Sequence, residues 1–179
     1  RTRAEIRRFV GNGIRNLMLQ AVPDGADNPK FEQAYETMQT WYKAHNQIKT
    51  APYPGVQRLI RTLKQQGVPM AVVSNKPDAS VQMLVEQWFP EITFGLGERE
   101  GLRRKPERDM VDYAIAQLGQ TGKKTVYVGD SEVDLTTAAN AGLDCISVTW
   151  GFRDRALLVE RGAKQFADTA EELLRLIQG

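Results

Sequence analysis

The spacing of apolar residues changes near residue 50. Before that point it is helical. Residues 3–20 carry Ile6, Phe9, Val10, Leu17 and Met18, interrupted by Gly11-Asn12-Gly13. Two glycines so close break or sharply bend a helix. After a loop at 23–29, Phe31, Tyr35, Met38 and Tyr42 recur at spacings of four and three. That pattern predicts one buried face of a helix over about 30–48. Thr50-Ala51-Pro52-Tyr53-Pro54-Gly55 then marks a module boundary, because proline and glycine punctuate regular structure.

Beyond the boundary, helical stripes alternate with short continuous apolar runs. Val56, Leu59, Ile60 and Leu63 predict a helix at 55–66 with Gly67 as its stop. Residues 68–74 read as a strand buried on both faces. Asp78 is placed as the N-cap of a helix to about 88, with Val81, Leu84, Val85 and Trp88 inward. A short strand is expected at 92–94 and a charged stretch at 98–109. A helix follows at 107–118, closed by Gly119. Strands at 125–128 and 145–149 flank a helix at 131–141 that Gly142 stops, and helices at about 154–161 and 169–178 complete the pattern. Strands alternating with helices predict βαβ units, hence an α/β core with a parallel, Rossmann-like sheet. The expected organisation is a helical module at 1–50 and an α/β core at 51–179.

Composition narrows the class. Of the 179 residues, 41% are hydrophobic and 26% charged, which is ordinary for a globular protein. No apolar run approaches the ~20 residues of a membrane helix. Residues 1–8 have no apolar segment of the kind a signal peptide needs. With 24 Lys and Arg against 22 Asp and Glu, the net charge of +2 gives no case for nucleic acid. A single cysteine, Cys145, excludes an intrachain disulfide and a cysteine-based metal site. The expectation is a cytoplasmic monomer or homodimer with no membrane or nucleic-acid partner. The chain opens without Met and inside a helical pattern, so a preceding segment is expected.

In open parallel sheets, ligands sit at the carboxyl ends of the strands. Three strand-end neighbourhoods carry chemistry. Ser74-Asn75-Lys76-Pro77 offers a hydroxyl, and N–H groups near a helix start suit an anion. Lys105-Pro106 stands at the expected start of the next helix, where a cation is unfavourable unless an anion shares the site. Gly129-Asp130-Ser131-Glu132-Val133-Asp134 places two carboxylates at a strand end, and such hard oxygen ligands suit Mg²⁺. Capping by Ser131, with acids complementing the helix dipole, explains Asp134 but explains Asp130 poorly. A hydroxyl, a lysine and an acid pair together can hold a phosphoryl group, whose transfer needs mainly positioning and charge neutralisation.

Other features read as structural. Gly122-Lys123-Lys124-Thr125 precedes a strand rather than following one, which excludes a P-loop. His45 has no second ligand, Cys145 begins a buried strand, and Tyr35, Met38 and Trp41 read as packing. Arg15, just past the Gly11–Gly13 bend, is either a surface arginine or a fork for a substrate carboxylate or phosphate.

Taken in order, these motifs resemble the haloacid dehalogenase superfamily, and within it the phosphoglycolate phosphatase group. Val72–Pro77 is similar to the family's second motif, Arg104-Lys105-Pro106 to its third, and Gly129–Asp134 to its fourth. Phe9–Gly13 with Arg15 is similar to the cap segment of the phosphoglycolate phosphatases. The resemblance implies that Ser74, Asn75, Lys105 and Arg15 contact phosphate or substrate, with Ser74 and Lys105 serving catalysis. It implies that Asp130 and Asp134 serve Mg²⁺, and that the substrate is a small phosphorylated metabolite. It also implies an Asp-x-Asp-Gly-Thr motif on a central strand near the N-terminus, whose first acid attacks phosphorus. These 179 residues contain no such motif. Asp24-Gly25-Ala26-Asp27 has no strand before it and does not substitute. The expectation is therefore a sheet missing its central strand, between the strand ending at Ser74 and the one ending at Asp130. The chain alone is expected to be inactive. A pseudo-enzyme or a non-catalytic phosphate-binding module of the same fold is the alternative.

Overall fold

The computed structural model describes Arg1–Gly179. Two compact units divide at Ala51/Pro52. No helix is long and apolar enough to cross a membrane.

The first unit is helical. Helix α1 (Arg3–Phe9) opens on a capping box in which Thr2 and Glu5 exchange hydrogen bonds, satisfying two otherwise orphaned donors. The chain turns at Val10–Asn12 into α2 (Gly13–Ala21), as the paired glycines predict. A single 3₁₀ turn at Gly25–Asp27 leads to α3 (Phe31–His45). Phe31, only 2% exposed, anchors this unit.

The second unit alternates helix and strand: α4 (Val56–Gln65), β1 (Ala71–Pro77), α5 (Asp78–Trp88), β2 (Phe94–Glu98), α6 (Asp109–Gln117), β3 (Val126–Gly129), α7 (Glu132–Ala141), β4 (Asp144–Val148), α8 (Arg155–Glu160), β5 (Gln165–Ala167) and α9 (Ala170–Gln178). All strand pairing is parallel, as expected. The strands form two separate ribbons, β1-β2 and β3-β4-β5. The main core packs Leu59 and Leu63 of α4 and Ala170 and Leu173 of α9 against Ile146 and Val148 of β4. Helix α7 lies on β3 and β4, and α6 on β1 and α7.

Several expected boundaries move. The strand placed at 92–94 forms at Phe94–Glu98, because backbone pairing with β1 overrides the low strand propensity of Gly95 and Gly97. Strand β5 was not expected, since three residues beginning with Gln carry no alternation to read. Asp78 is the first helical residue of α5 rather than its cap, and its Oδ1 accepts the Gly97 N–H at 2.7 Å, fastening α5 to β2. Helix α6 begins at Asp109. Lys105 therefore lies four residues ahead of it, not at its first turn.

Candidate active site

Asn75, near the carboxyl end of β1 and 6% exposed, spends its side-chain amide on the backbone of Lys105. Its Nδ2 donates to the Lys105 carbonyl at 3.0 Å, and its Oδ1 accepts the Lys105 N–H at 2.9 Å. This two-point clamp fixes a loop residue against a strand. Asn140 of α7 holds the next carbonyl, that of Pro106, at 2.8 Å.

The lysine so held points inward. Its Nζ donates to Asp134 Oδ1 at 2.7 Å and to the Tyr127 hydroxyl at 3.2 Å. The Lys105 and Asp134 side chains are 11% and 8% exposed. Burial alone would discharge Lys105, but Tyr127 and Asp134 outweigh it and raise its pKa. Burial likewise works against the Asp134 carboxylate, yet Lys105, the Ser131 hydroxyl and the Asp130 N–H together hold its pKa below the ordinary range. Burial pushes the Tyr127 hydroxyl up, so it stays protonated at neutral pH.

Asp134 is also the keystone of the β3–α7 turn. Its Oδ2 accepts the Ser131 hydroxyl at 2.6 Å and the Asp130 N–H at 3.1 Å. A Cβ on Gly129 would come within 2.2 Å of Asp134 Cβ, so only glycine lets the strand end lie this close. Ser131 caps α7, as the capping reading predicts, while also donating to Asp134.

Four residues earlier, Asp130 has the opposite electrostatics. Burial raises its pKa, and the main-chain N–H of Phe152, at 2.6 Å from Oδ2, offsets this only in part. A Cβ on Gly151 would meet Asp130 Oδ2 at 2.1 Å, so the 150–153 loop wraps this carboxylate through a glycine. Beside it, Arg153 is 4% exposed and makes a bidentate pair with Glu132, at 2.6 and 2.9 Å. No cluster of three or more metal-ligating side chains forms.

The structure thus brings Asn75, Lys105, Asp130 and Asp134 into one contiguous network. Ser74 adjoins it in sequence, and its Oγ accepts the Lys76 N–H at 3.2 Å. Arg15 belongs to the helical unit. Its two terminal nitrogens are engaged by Glu32, and its guanidinium stacks over Phe31 and Tyr35 at 5.2 and 5.1 Å. Binding an external anion there would require displacing that carboxylate. Two network members, Tyr127 and Arg153, escaped sequence reasoning. Tyr127 was detectable: strand alternation puts it on the same face as Gly129, where Asp134 packs. Arg153 left no signal, because its partner Glu132 lies 21 residues away. Burial pushes the Cys145 thiol up to about 11. His45 stacks on Trp41.

The sequence matches the haloacid dehalogenase-like hydrolase family over residues 1–148. The chain belongs to that family. Among curated proteins it is 31% identical over 157 residues to phosphoglycolate phosphatase of Pseudomonas putida, covering 82% of this chain and 56% of that one. It is 31% identical over 172 residues to phosphoglycolate phosphatase of Rhodobacter capsulatus, covering 92% and 76%. A crystal structure of a candidate phosphoglycolate phosphatase from Lactobacillus delbrueckii subsp. bulgaricus superposes with a TM-score of 0.92 at 38% identity, covering 99% of this chain and 83% of that one.

Proposed function

We propose that this chain carries the phosphate- and metal-holding part of a Mg²⁺-dependent phosphomonoester hydrolase, with 2-phosphoglycolate as the leading substrate. The reading is supported above all by the contact series Asn75–Lys105–Asp134–Asp130, which gathers a strand end, a buried ammonium and a desolvated carboxylate. The Lys105 ammonium balances phosphoryl charge, and the Ser74 hydroxyl donates to a phosphoryl oxygen. Both oxygens of Asp134 are committed to Lys105, Ser131 and the Asp130 N–H, so it positions the lysine and the metal-binding turn.

The donor set fits Mg²⁺. Asp130 is a buried carboxylate whose charge the protein compensates incompletely, and Mg²⁺ commonly takes only one or two protein carboxylates. Asp130 would hold the ion directly and Asp134 would support it. The ion would neutralise charge building on the phosphoryl oxygens.

The attacking carboxylate implied by the family resemblance has no counterpart here, since Asp134 is locked and Asp130 serves the ion. Nucleophilic catalysis needs such a group. The chain alone should therefore bind phosphate without turning over ester. The test is calorimetric titration of inorganic phosphate with and without MgCl₂, beside phosphate release from 2-phosphoglycolate. Binding should require Mg²⁺ and fall at least tenfold in Lys105→Met. Equal binding by that variant would refute the assigned site, and ester turnover by the chain alone would refute the need for an external acid.

A further inference from the structure

The loop that brings Phe152 to Asp130 has an anchor with no part in holding phosphate or metal. Strands β3 and β4 pair in parallel, with Gly129 opposite Ser147, so the segments just past them run side by side. The segment past β4, residues 149–154, folds over Asp130. Its Phe152 N–H donates to Oδ2 at 2.6 Å, and a Cβ on Gly151 would collide with that carboxylate. Side chains hold this segment on either side of Phe152. Trp150 packs against the main core. Arg153, 4% exposed, reaches 21 residues back to Glu132, the first residue of α7, with Nε to Oε2 at 2.6 Å and Nη2 to Oε1 at 2.9 Å. Phe152 itself is 45% exposed, so the flanking anchors set where its N–H points.

Stability alone does not account for such a pair. An arginine and a glutamate withdrawn from water gain little over apolar packing, because desolvation offsets their attraction. What a guanidinium fork supplies is direction, since two parallel hydrogen bonds fix distance and orientation together. Here the fork ties the 149–154 segment to the first turn of α7, just beyond Asp130. The carboxylate and the N–H that meets it are thereby held in one frame. With Oδ2 engaged by Phe152, Oδ1 is the oxygen left for a cation. Charge argues against an arginine at this place. Its positive field acts on Asp130 and would repel a cation, so it is a cost to metal binding unless it orients the carboxylate.

We propose that Arg153, acting through Glu132, is a positioning residue for Asp130: the pair pins the 149–154 segment so that the Phe152 N–H keeps Oδ2 and Oδ1 is left for Mg²⁺. This inference rests on the assignment of Asp130 to the ion. Comparing wild type with variants of Arg153 separates a failure of that assignment from a failure of the brace.

The probe is MgCl₂, titrated by calorimetry at neutral pH into wild type, Arg153→Met and Arg153→Lys. Hydrogen exchange of the Phe152 amide is followed by NMR in the same three proteins, relative to amides of β4. Arg153→Met removes a positive charge near Asp130, so electrostatics alone would tighten Mg²⁺ binding. Loss of the brace should instead weaken it by about tenfold. Arg153→Lys keeps the charge without the fork and should be weakened too. In both variants the Phe152 amide should exchange faster than in wild type before any Mg²⁺ is added, while a general loss of stability would speed the β4 amides equally. Equal or tighter Mg²⁺ binding by Arg153→Met overturns the proposal, as does wild-type affinity in Arg153→Lys or unchanged exchange at Phe152. Should Arg153→Met not fold, Arg153→Lys decides by the same two readouts. No saturable Mg²⁺ binding by wild type would remove the assignment of Asp130 and this inference with it, whereas wild-type binding matched by the variants would remove the inference alone.

Discussion

Two ion pairs, one in each unit, show how differently the same kind of contact acts. Arg15–Glu32 joins side chains 46% and 65% exposed, and Lys105–Asp134 joins side chains 11% and 8% exposed. The first is an exposed pair that water and salt screen, and such pairs add little. In the second, each charge is held in large part by the other, so removing one leaves its partner buried without a counter-charge. The exposed pair decorates a helical surface, while the buried pair ties together the side chains at the strand ends.

Substitutions should separate the two, beginning with the largest effect. Lys105→Met should lower stability by about 3–5 kcal/mol, because Asp134 is left buried and unpaired. At 2–4 °C per kcal/mol this is a fall in Tm of roughly 6–20 °C, measurable by calorimetry. Asp134, with its lowered pKa, contributes above the ordinary carboxylate value and loses that contribution as pH falls through its folded pKa. Lys105, with its raised pKa, contributes below the ordinary lysine value and loses that contribution as pH rises through its folded pKa. The wild-type advantage should therefore be flat between about pH 5 and pH 9 and fade on both sides.

Asn75→Ala comes next. It leaves the Lys105 N–H and carbonyl without their partner and should cost about 2 kcal/mol, or ~5 °C. Phosphate affinity should fall further than this loss of stability explains, because the lysine is no longer held. Asp130→Asn should act in the opposite direction. The folded state favours the protonated Asp130, so wild type loses stability as pH rises from the ordinary carboxylate value through the raised one. Without divalent cation, the variant should melt a few degrees higher at neutral pH, with no advantage in strong acid. Adding MgCl₂ should stabilise wild type and leave the variant unmoved. Arg15→Ala should move Tm least of all, and added salt should erase what difference there is. A fall matching that of Lys105→Met would end the contrast between the pairs.

The sequence exposed some of this architecture and hid the rest for physical reasons. Continuous apolar runs made β1, β3 and β4 legible; position just past a strand singled out Ser74 and Asp130, and position at an expected helix start singled out Lys105. What each residue does there was less visible. Asn75 reads as an anion ligand by position, yet its amide is spent on the Lys105 backbone, 30 residues away, a pairing no local pattern encodes. Lys105 looked like the first turn of a helix because proline follows it, whereas α6 starts at Asp109. Strand β2 was displaced and β5 unseen because their residues have weak intrinsic preference and are strands only through their neighbours. That Asp134 meets a lysine and Asp130 a loop amide was equally invisible, since both partners lie more than 20 residues away.

The Asn75 clamp carries one more implication. It is a rivet between the β1-β2 ribbon and the lysine that reaches across to the β3–α7 turn, so the two ribbons cannot shear without dragging Lys105 off Asp134. Under the proposed phosphate-binding role, anion affinity would then gauge alignment: whatever wedges the ribbons apart or draws them together would be reported, at a distance, by how tightly the site holds its charge.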